Sequence, residues 1–317
     1  MLENAEIVDL RHFSSAELRA LLAHETEAWA RMMAWDYRSS AEMILRYIDA
    51  KILPGYAAVQ DGRVIGYTFF VYEGSKGVVG DLFVLESDAY REAETRDSLL
   101  THGLETLMQT TGIHRIEAQL LTHPSGAVNR VFMEHGFSVH PRLFMELRLG
   151  GGAHTVSQRT PDIELRRWSE NDFQPAAALI TAAYAGHIDS GINDQYRSMG
   201  GSMRFLNNIV RFPGCGVFDG ASSFVAVNRM TNQFAGLLLC SKVREDVGHV
   251  TQICVAPEQR GRGLGEQLMS TCVNTLQQRG FSSLTLTVTE DNQPAVALYE
   301  RMGFDRRRVF DAFVWEG

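Results

Sequence analysis

Val255-Ala256-Pro257-Glu258-Gln259-Arg260-Gly261-Arg262-Gly263-Leu264-Gly265 is the stretch on which the reading of this chain turns. An apolar run, residues 250–255, precedes it, and Leu264, Leu268, Met269, Cys272, Val273 and Leu276 follow at helical spacing. The stretch therefore joins the end of a strand to the start of a helix. Backbone N–H groups at a helix start have no intrahelical partner, and the helix dipole favours an anion there. Gly261, Gly263 and Gly265 let the backbone approach a phosphate closely, and Arg260 and Arg262 add positive charge. The spacing excludes two other phosphate loops. A dinucleotide fingerprint needs G-x-G-x-x-G, and here the third glycine arrives one residue early. A Walker loop needs Gly-Lys-Ser/Thr, which this sequence does not contain.

Downstream, a strand at residues 284–288 is followed by Asn292-Gln293-Pro294-Ala295-Val296-Ala297-Leu298-Tyr299-Glu300-Arg301-Met302-Gly303-Phe304. Pro294 suits the first turn of a helix, Gly303 suits its C-cap, and Asn292 is placed to cap it or to reach a ligand. Together the two segments resemble the GCN5-related N-acetyltransferase (GNAT) superfamily. Arg260-x-x-Gly263-x-Gly265 is similar to that family's Q/R-x-x-G-x-G/A pyrophosphate loop, and residues 292–304 are similar to its N-x-x-A-x-x-L-Y-x-x-x-G-F segment.

The resemblance implies an N-acetyltransferase that uses acetyl-CoA as co-substrate and an amine, small-molecule or protein, as acceptor. It implies that the pantetheine arm runs along the backbone of Ile253, Cys254 and Val255. The amides of Arg260, Gly261, Arg262, Gly263, Leu264 and Gly265 would hold the pyrophosphate, with Asn292 and Tyr299 also at the donor. Tyr299 stands where the family's tyrosine protonates the departing thiolate, and the amine attacks the thioester directly. The physical logic is independent of the family: an amine must be neutral to attack, and a thiolate leaves better when given a proton. A strand N–H can steady the oxyanion. Direct transfer needs no nucleophilic cysteine, and a buried Cys254 thiol would be inert.

The base is open. The strand Gly248-His249-Val250-Thr251-Gln252-Ile253-Cys254-Val255 has no carboxylate, where family members often carry a glutamate. His249 has a suitable intrinsic pKa; Asp189, Glu290 and a water chain are alternatives. Residues 184–196 concentrate polar and aromatic groups where the family places acceptor-binding helices. His187, Asp189 and Asp194 are the expected acceptor contacts, the carboxylates attracting a cationic amine. The competing reading is a non-catalytic acyl-CoA-binding or sensing protein.

The remaining sequence reads as an earlier copy of the same domain. Leu10-Arg11-His12-Phe13-Ser14 parallels Leu165-Arg166-Arg167-Trp168-Ser169, and residues 64–71 parallel 234–240. Val84 follows Gly66 by eighteen residues, Val255 follows Gly236 by nineteen, and residues 127–137 parallel 295–304. The expected fold class is α/β (α+β), two tandem domains, each a mixed, mostly antiparallel sheet flanked by helices. Expected limits are 1–149 for the first domain, 150–160 for a glycine-rich linker and 161–317 for the catalytic one. The first copy is read as degenerate. It has no glycine loop after Val84 but Glu86, Asp88, Glu92 and Glu94; Phe132 replaces Tyr299 and Ser125 replaces Asn292.

Composition narrows the classes further. The 317 residues carry a net charge of −8, which argues against general nucleic-acid binding. No run approaches the length of a membrane helix and no signal peptide is visible, so the expected compartment is the cytoplasm. Cys215, Cys240, Cys254 and Cys272 form no C-x-x-C pair, and no metal site is expected. A homodimer is one assembly open to such a chain.

Overall fold

The computed structural model describes residues 5–85, 89–150, 160–211 and 216–317. Cys215, Glu86, Asp88 and residues 151–159 of the expected linker lie outside the described residues. In chain order the first elements are β1 (Glu6–Asp9), α1 (Ser15–Met33), α2 (Arg38–Asp49), β2 (Gly55–Gln60), β3 (Arg63–Glu73), β4 (Lys76–Val84), α3 (Ala89–Gln109), β5 (Arg115–Gln119), α4 (Asn129–Glu134) and β6 (Ser138–Arg148). Then follow β7 (Ile163–Arg167), α5 (Phe173–Ala183), α6 (Ile188–Ile192), α7 (Met199–Arg211), β8 (Val217–Phe218), β9 (Phe224–Asn228), β10 (Phe234–Arg244), β11 (Val247–Val255), α8 (Leu264–Gln278), β12 (Ser283–Thr289), α9 (Gln293–Arg301) and β13 (Asp305–Glu316).

These elements form two compact units, Met1–Arg142 with Val309–Gly317, and Leu143–Arg308. The limits differ from the expected 1–149 and 161–317. The end of β13 belongs to the first unit because its backbone pairs antiparallel with β5, from Ala312/Gln119 to Glu316/Arg115. The end of β6 belongs to the second, where it runs beside β12 and the Leu149 N–H reaches the Ser282 carbonyl at 2.8 Å. A glycine-rich stretch marks where a chain can turn; which sheet an end strand completes is decided by backbone pairing.

Within the first unit β1, β2, β3 and β4 pair antiparallel in that order, and β4 pairs parallel with β5. One core lies against α3, with Leu99, Leu100, Leu104, Phe132 and Phe313 fully buried. The other lies against α1 and α2, with Leu18, Leu22, Ile48 and Tyr67. A capping box starts α1: the Ser14 N–H and hydroxyl both donate to the Glu17 carboxylate at 2.8 Å.

The second unit repeats the plan. Strands β7, β9, β10 and β11 pair antiparallel, and β11 pairs parallel with β12. One face buries Ala176, Ile180 and Leu206 of α5 and α7 against Val225, Leu237 and Cys254. On the other, α8 comes close enough that a Cβ at Gly236 would lie 3.1 Å from Leu268 Cδ1, and one at Gly248 3.0 Å from Leu276 Cδ1. Each unit is thus a mostly antiparallel mixed sheet with helices on both faces, as the sequence pattern implies.

The role of the C-terminal strand in the first unit is testable. Phe313 is 1% exposed and its ring stacks on Phe132, centroids 3.7 Å apart. Phe313→Ala is expected to cost the first unit about 3–5 kcal/mol, read as a lowered denaturant midpoint. A loss below about 1 kcal/mol would mean that this strand does not complete that core.

Candidate active site

In the second unit β11 and β12 pair from Val247/Ser283 to Val250/Leu286. There the parallel ladder stops, although β11 continues to Val255 and β12 to Thr289. On the other side of β11, Leu239 pairs with Gln252 and Cys240 with Val250, leaving Thr251 as an extra residue. A bulge bends a strand and sharpens its twist, so the outer halves of β11 and β12 separate. Unpaired strand backbone of this kind is a template for an extended, amide-bearing ligand. Ile253 and Val255 lie half-buried along it, and Cys254 is buried between them.

Past Val255, a 3-10 turn (Pro257–Gln259) leads into Gly261 and Gly263, with φ of 74° and 78°. Both values belong to the left-handed region where glycine is the default residue. A Cβ on either would meet nothing within 4 Å, so the loop presents open backbone. Gly263 is the N-cap of the 15-residue α8. The first intrahelical bond is Gln267 N–H to the Gly263 carbonyl, 3.0 Å. The amides of Leu264 and Gly265 come before it and have no carbonyl within the helix to bond. With the helix dipole, they make an anion-binding cradle. The arginines are used differently from the expectation. Arg260 donates to the carbonyl of Ala183, the last residue of α5, and Arg262 donates to Gln259 Oε1 at 2.6 Å. What the loop offers an anion is thus its backbone.

Beside the separated strands lies a group of side chains from distant parts of the sequence. Tyr299 is 6% exposed on α9 and packs on Phe304. Burial, and then the charge of Asp189, hold its phenol well above the ordinary value of 10, so it stays protonated at neutral pH. Asp189, in α6, accepts a short hydrogen bond from the hydroxyl of Thr289, the last residue of β12. His187 Nδ1 lies 3.5 Å from the Asp189 carboxylate. Tyr184 stacks on Tyr196 at 4.2 Å, and its hydroxyl reaches Gln252 Oε1 and the Ile253 carbonyl, 3.4 Å each. Burial, then the neighbouring Tyr196 and Cys254, raise the Tyr184 phenol as well. His187, Asp189 and Tyr299 are therefore brought together, and Tyr184, Tyr196, Gln252 and Thr289 join them. The sequence carries no local signal for Thr289, a strand-end residue one hundred positions from its partner.

Other candidates are placed elsewhere or used otherwise. His249 is 4% exposed in the paired section of β11, opposite Thr285. Its Nδ1 lies 2.9 Å from the Thr285 hydroxyl, which itself donates to the Gly248 carbonyl, and its ring stacks near Phe144. Burial lowers its pKa to about 3, so the imidazole is neutral and a poor proton acceptor at physiological pH. Asn292 spends its side chain on the α9 N-cap, accepting from the Ala295 N–H at 3.4 Å. Asp194 begins the next turn, 194–197, which Asn193 caps. Glu290 pairs with Arg306 at 3.9 Å. Cys254 is pushed up to about 12 by burial, which makes it no nucleophile. A cleft of about 850 Å³ also opens against Leu179, Phe234, Ala256 and Pro257, and the Tyr299 group is not part of its lining.

The first unit has the same frame with other contents. The ladder of β4 and β5 stops at Val79/Ala118, and Gly80 is the extra residue, since Phe69 pairs with Asp81 and Phe70 with Val79. Gly66 opposes Val84 as Gly236 opposes Val255. The additional residue of the second copy is taken up by a second shift at Lys242/Arg244. At the Tyr299 position Phe132 is fully buried, edge-on to Phe137. Ser125, at the Asn292 position, donates to Asp311 at 2.9 Å. Glu92 occupies the first turn of α3, where the second unit has its open cradle.

The model of the acetyltransferase (GNAT) family matches residues 193–304. A mycothiol acetyltransferase of Renibacterium salmoninarum is 28% identical over 212 residues, 64% of this chain and 59% of that protein's length. An N-alpha-acetyltransferase 30 of Schizosaccharomyces pombe is 30% identical over 91 residues, 26% of this chain and 57% of that protein. Among solved structures, a GCN5-related N-acetyltransferase from Sphaerobacter thermophilus superposes with a TM-score of 0.64 at 18% identity, covering 91% of both chains. A tandem GNAT protein from the clavulanic acid biosynthesis pathway superposes with a TM-score of 0.60 at 16% identity, covering 99% of this chain and 98% of its own. These superpositions establish the fold, and the family-model match lies wholly within the second unit. The second unit is similar in sequence to the acetyltransferase (GNAT) family over residues 193–304, and the chain has the fold of that family's solved structures.

Proposed function

We propose that the second unit transfers an acetyl group from acetyl-CoA to an amine by direct attack. The observation that carries this reading is the separation of β11 from β12 beside an open glycine loop. The pyrophosphate is held by amides within residues 261–265, the Arg260 N–H being taken by the Pro257 carbonyl, and the pantetheine arm runs along the edge of Ile253, Cys254 and Val255 that faces away from β10. Asp189 attracts the acceptor's ammonium, with His187 beside it.

Once neutral, the amine nitrogen attacks the thioester carbonyl carbon. The C–N bond forms, the tetrahedral oxyanion is steadied by strand N–H groups, and the C–S bond breaks with its electron pair on sulfur. Tyr299 gives the sulfur its proton. The proton that the amine sheds leaves through water at the Asp189 carboxylate, because His249 is neutral, engaged with Thr285 and weakly basic. The relatives named above include a mycothiol acetyltransferase and an N-alpha-acetyltransferase. Both names fit an amine acceptor, and neither fixes which amine this chain takes.

Thiol release from acetyl-CoA over an amine panel tests the reading; binding without turnover would leave the competing acyl-CoA-binding reading. Tyr299→Phe should lower kcat about 10²–10⁴-fold. The raised phenol pKa means the acid form persists as pH rises, so the deficit should be uniform from about pH 6 to 9. An unchanged kcat would remove Tyr299 as the acid. Asp189→Asn should raise KM for a cationic amine about tenfold or more and leave KM for acetyl-CoA unchanged. Equal effects on both would show that Asp189 only supports the fold.

A further inference from the structure

Gln252 is 4% exposed, and its Nε2 has no hydrogen-bond partner among the described residues. An unpaired buried amide donor is costly, and native proteins retain few of them. The other end of the amide is occupied, since Oε1 accepts from the Tyr184 hydroxyl. Nε2 belongs to the same small planar group and so lies beside the tyrosine. Turning the amide over does not resolve the problem. The phenol would then accept from Nε2, and Oε1 would be the atom left over.

The position in the fold gives this amide a use. Gln252 is the first residue past the Thr251 bulge, within the stretch of β11 that has left β12. Cys254, two residues on, packs into the core under α5. Val255 lies instead on the loop side, its Cγ2 3.9 Å from where a Gly265 Cβ would be. Tyr184, which holds the amide, belongs to the wall that contains Tyr196, His187 and Asp189. The spare polar atom is therefore on the acceptor side and not on the phosphate side.

The first unit is the internal control. Asp81 occupies the matching register position, one residue past the bulge at Gly80. It accepts from the Tyr37 hydroxyl at 2.6 Å and, on its other oxygen, from the Leu82 N–H at 2.8 Å. Both units keep the contact between a tyrosine and the residue after the bulge. The first satisfies both polar atoms internally, while the second leaves one over.

We propose that Gln252 Nε2 donates to an oxygen of the acceptor, and hence that the acceptor is an amine with a hydroxyl or carbonyl oxygen close to its nitrogen. Asp189 draws the ammonium and the Gln252 amide reads the neighbouring oxygen. The assignment rests on the acyl-transfer reading above. An acceptor with a methyl group in place of that oxygen leaves the donor buried and unpaired, which should lower kcat/KM about 10–100-fold.

The test is thiol release from acetyl-CoA with shape-matched amines: 1-amino-2-propanol against isobutylamine, and alaninamide against 3-methyl-2-butylamine. The wild-type protein should favour the oxygen-bearing member of at least one pair about tenfold or more. Gln252→Met, close to Gln in length and without a donor, should bring that ratio near one by loss on the oxygen-bearing amine. Calorimetry should show its affinity for acetyl-CoA unchanged, and its melting temperature should change little, since the substitution removes an unpaired donor and the Tyr184 hydroxyl keeps the Ile253 carbonyl as an acceptor. A ratio near one in the wild type, or a ratio that survives Gln252→Met, overturns the assignment while amine acetylation stands. Binding of acetyl-CoA with turnover of no amine overturns acyl transfer and this assignment together.

Discussion

Two parallel strands that pair over four residues and then separate are the constraint on which the second unit's chemistry depends. If β11 and β12 stayed paired past Val250 and Leu286, the backbone of Ile253, Cys254 and Val255 would be satisfied within the sheet. No ligand could add to it. The bulge at Thr251 provides the bend. The same separation lets the wall from 184 to 196 approach the strand, so that Tyr184 touches Gln252 and Asp189 touches Thr289. The glycine loop then follows directly from the strand end. One local distortion thereby sets the glycine loop, the strand edge facing away from β10 and the 184–196 wall around a single place.

The first unit carries the same frame with a different interior. Its strands part at the same point and its bulge sits at the matching residue. Yet the interior of the parted region is filled by its own polar groups. Asp81 takes the Tyr37 hydroxyl, and Glu25 takes the Tyr67 hydroxyl at 2.7 Å. Glu25 is 1% exposed, and burial first, with the adjoining Asp81 second, raises its carboxyl well above the ordinary range. With Glu25 held toward its neutral form beside Asp81, these side chains satisfy one another in a closed hydrogen-bonded arrangement. The difference between the units lies in which polar atoms the fold leaves unsatisfied.

Much of this was legible in the sequence. The glycine loop, the helix after it and the Asn292-to-Phe304 segment are local patterns, and local patterns carry their geometry with them. The internal repeat was legible too: Gly66 and Val84, like Gly236 and Val255, face each other in register. What escaped depends on contacts between residues far apart in sequence. The exchange of end strands follows from backbone pairing, which has no composition. His249 reads as a titratable residue at a strand start, yet Thr285 and burial make it a core side chain. Arg260 reads as a phosphate ligand, while its guanidinium is taken by the Ala183 carbonyl. Gln252 looks like any strand glutamine until the partners of its two amide atoms are counted separately.

The central claim is that coenzyme A binding belongs to the second unit and to its glycine loop. Calorimetric titration of the full chain with acetyl-CoA addresses it most directly, with Gly263→Trp as the comparison. The Gly263 backbone is left-handed and its surroundings are open, so an indole there covers the cradle without entering the core. The account predicts one site per chain in the wild type and none in Gly263→Trp, with the fold retained by circular dichroism. No binding in the wild type, or a site that survives Gly263→Trp, would contradict it.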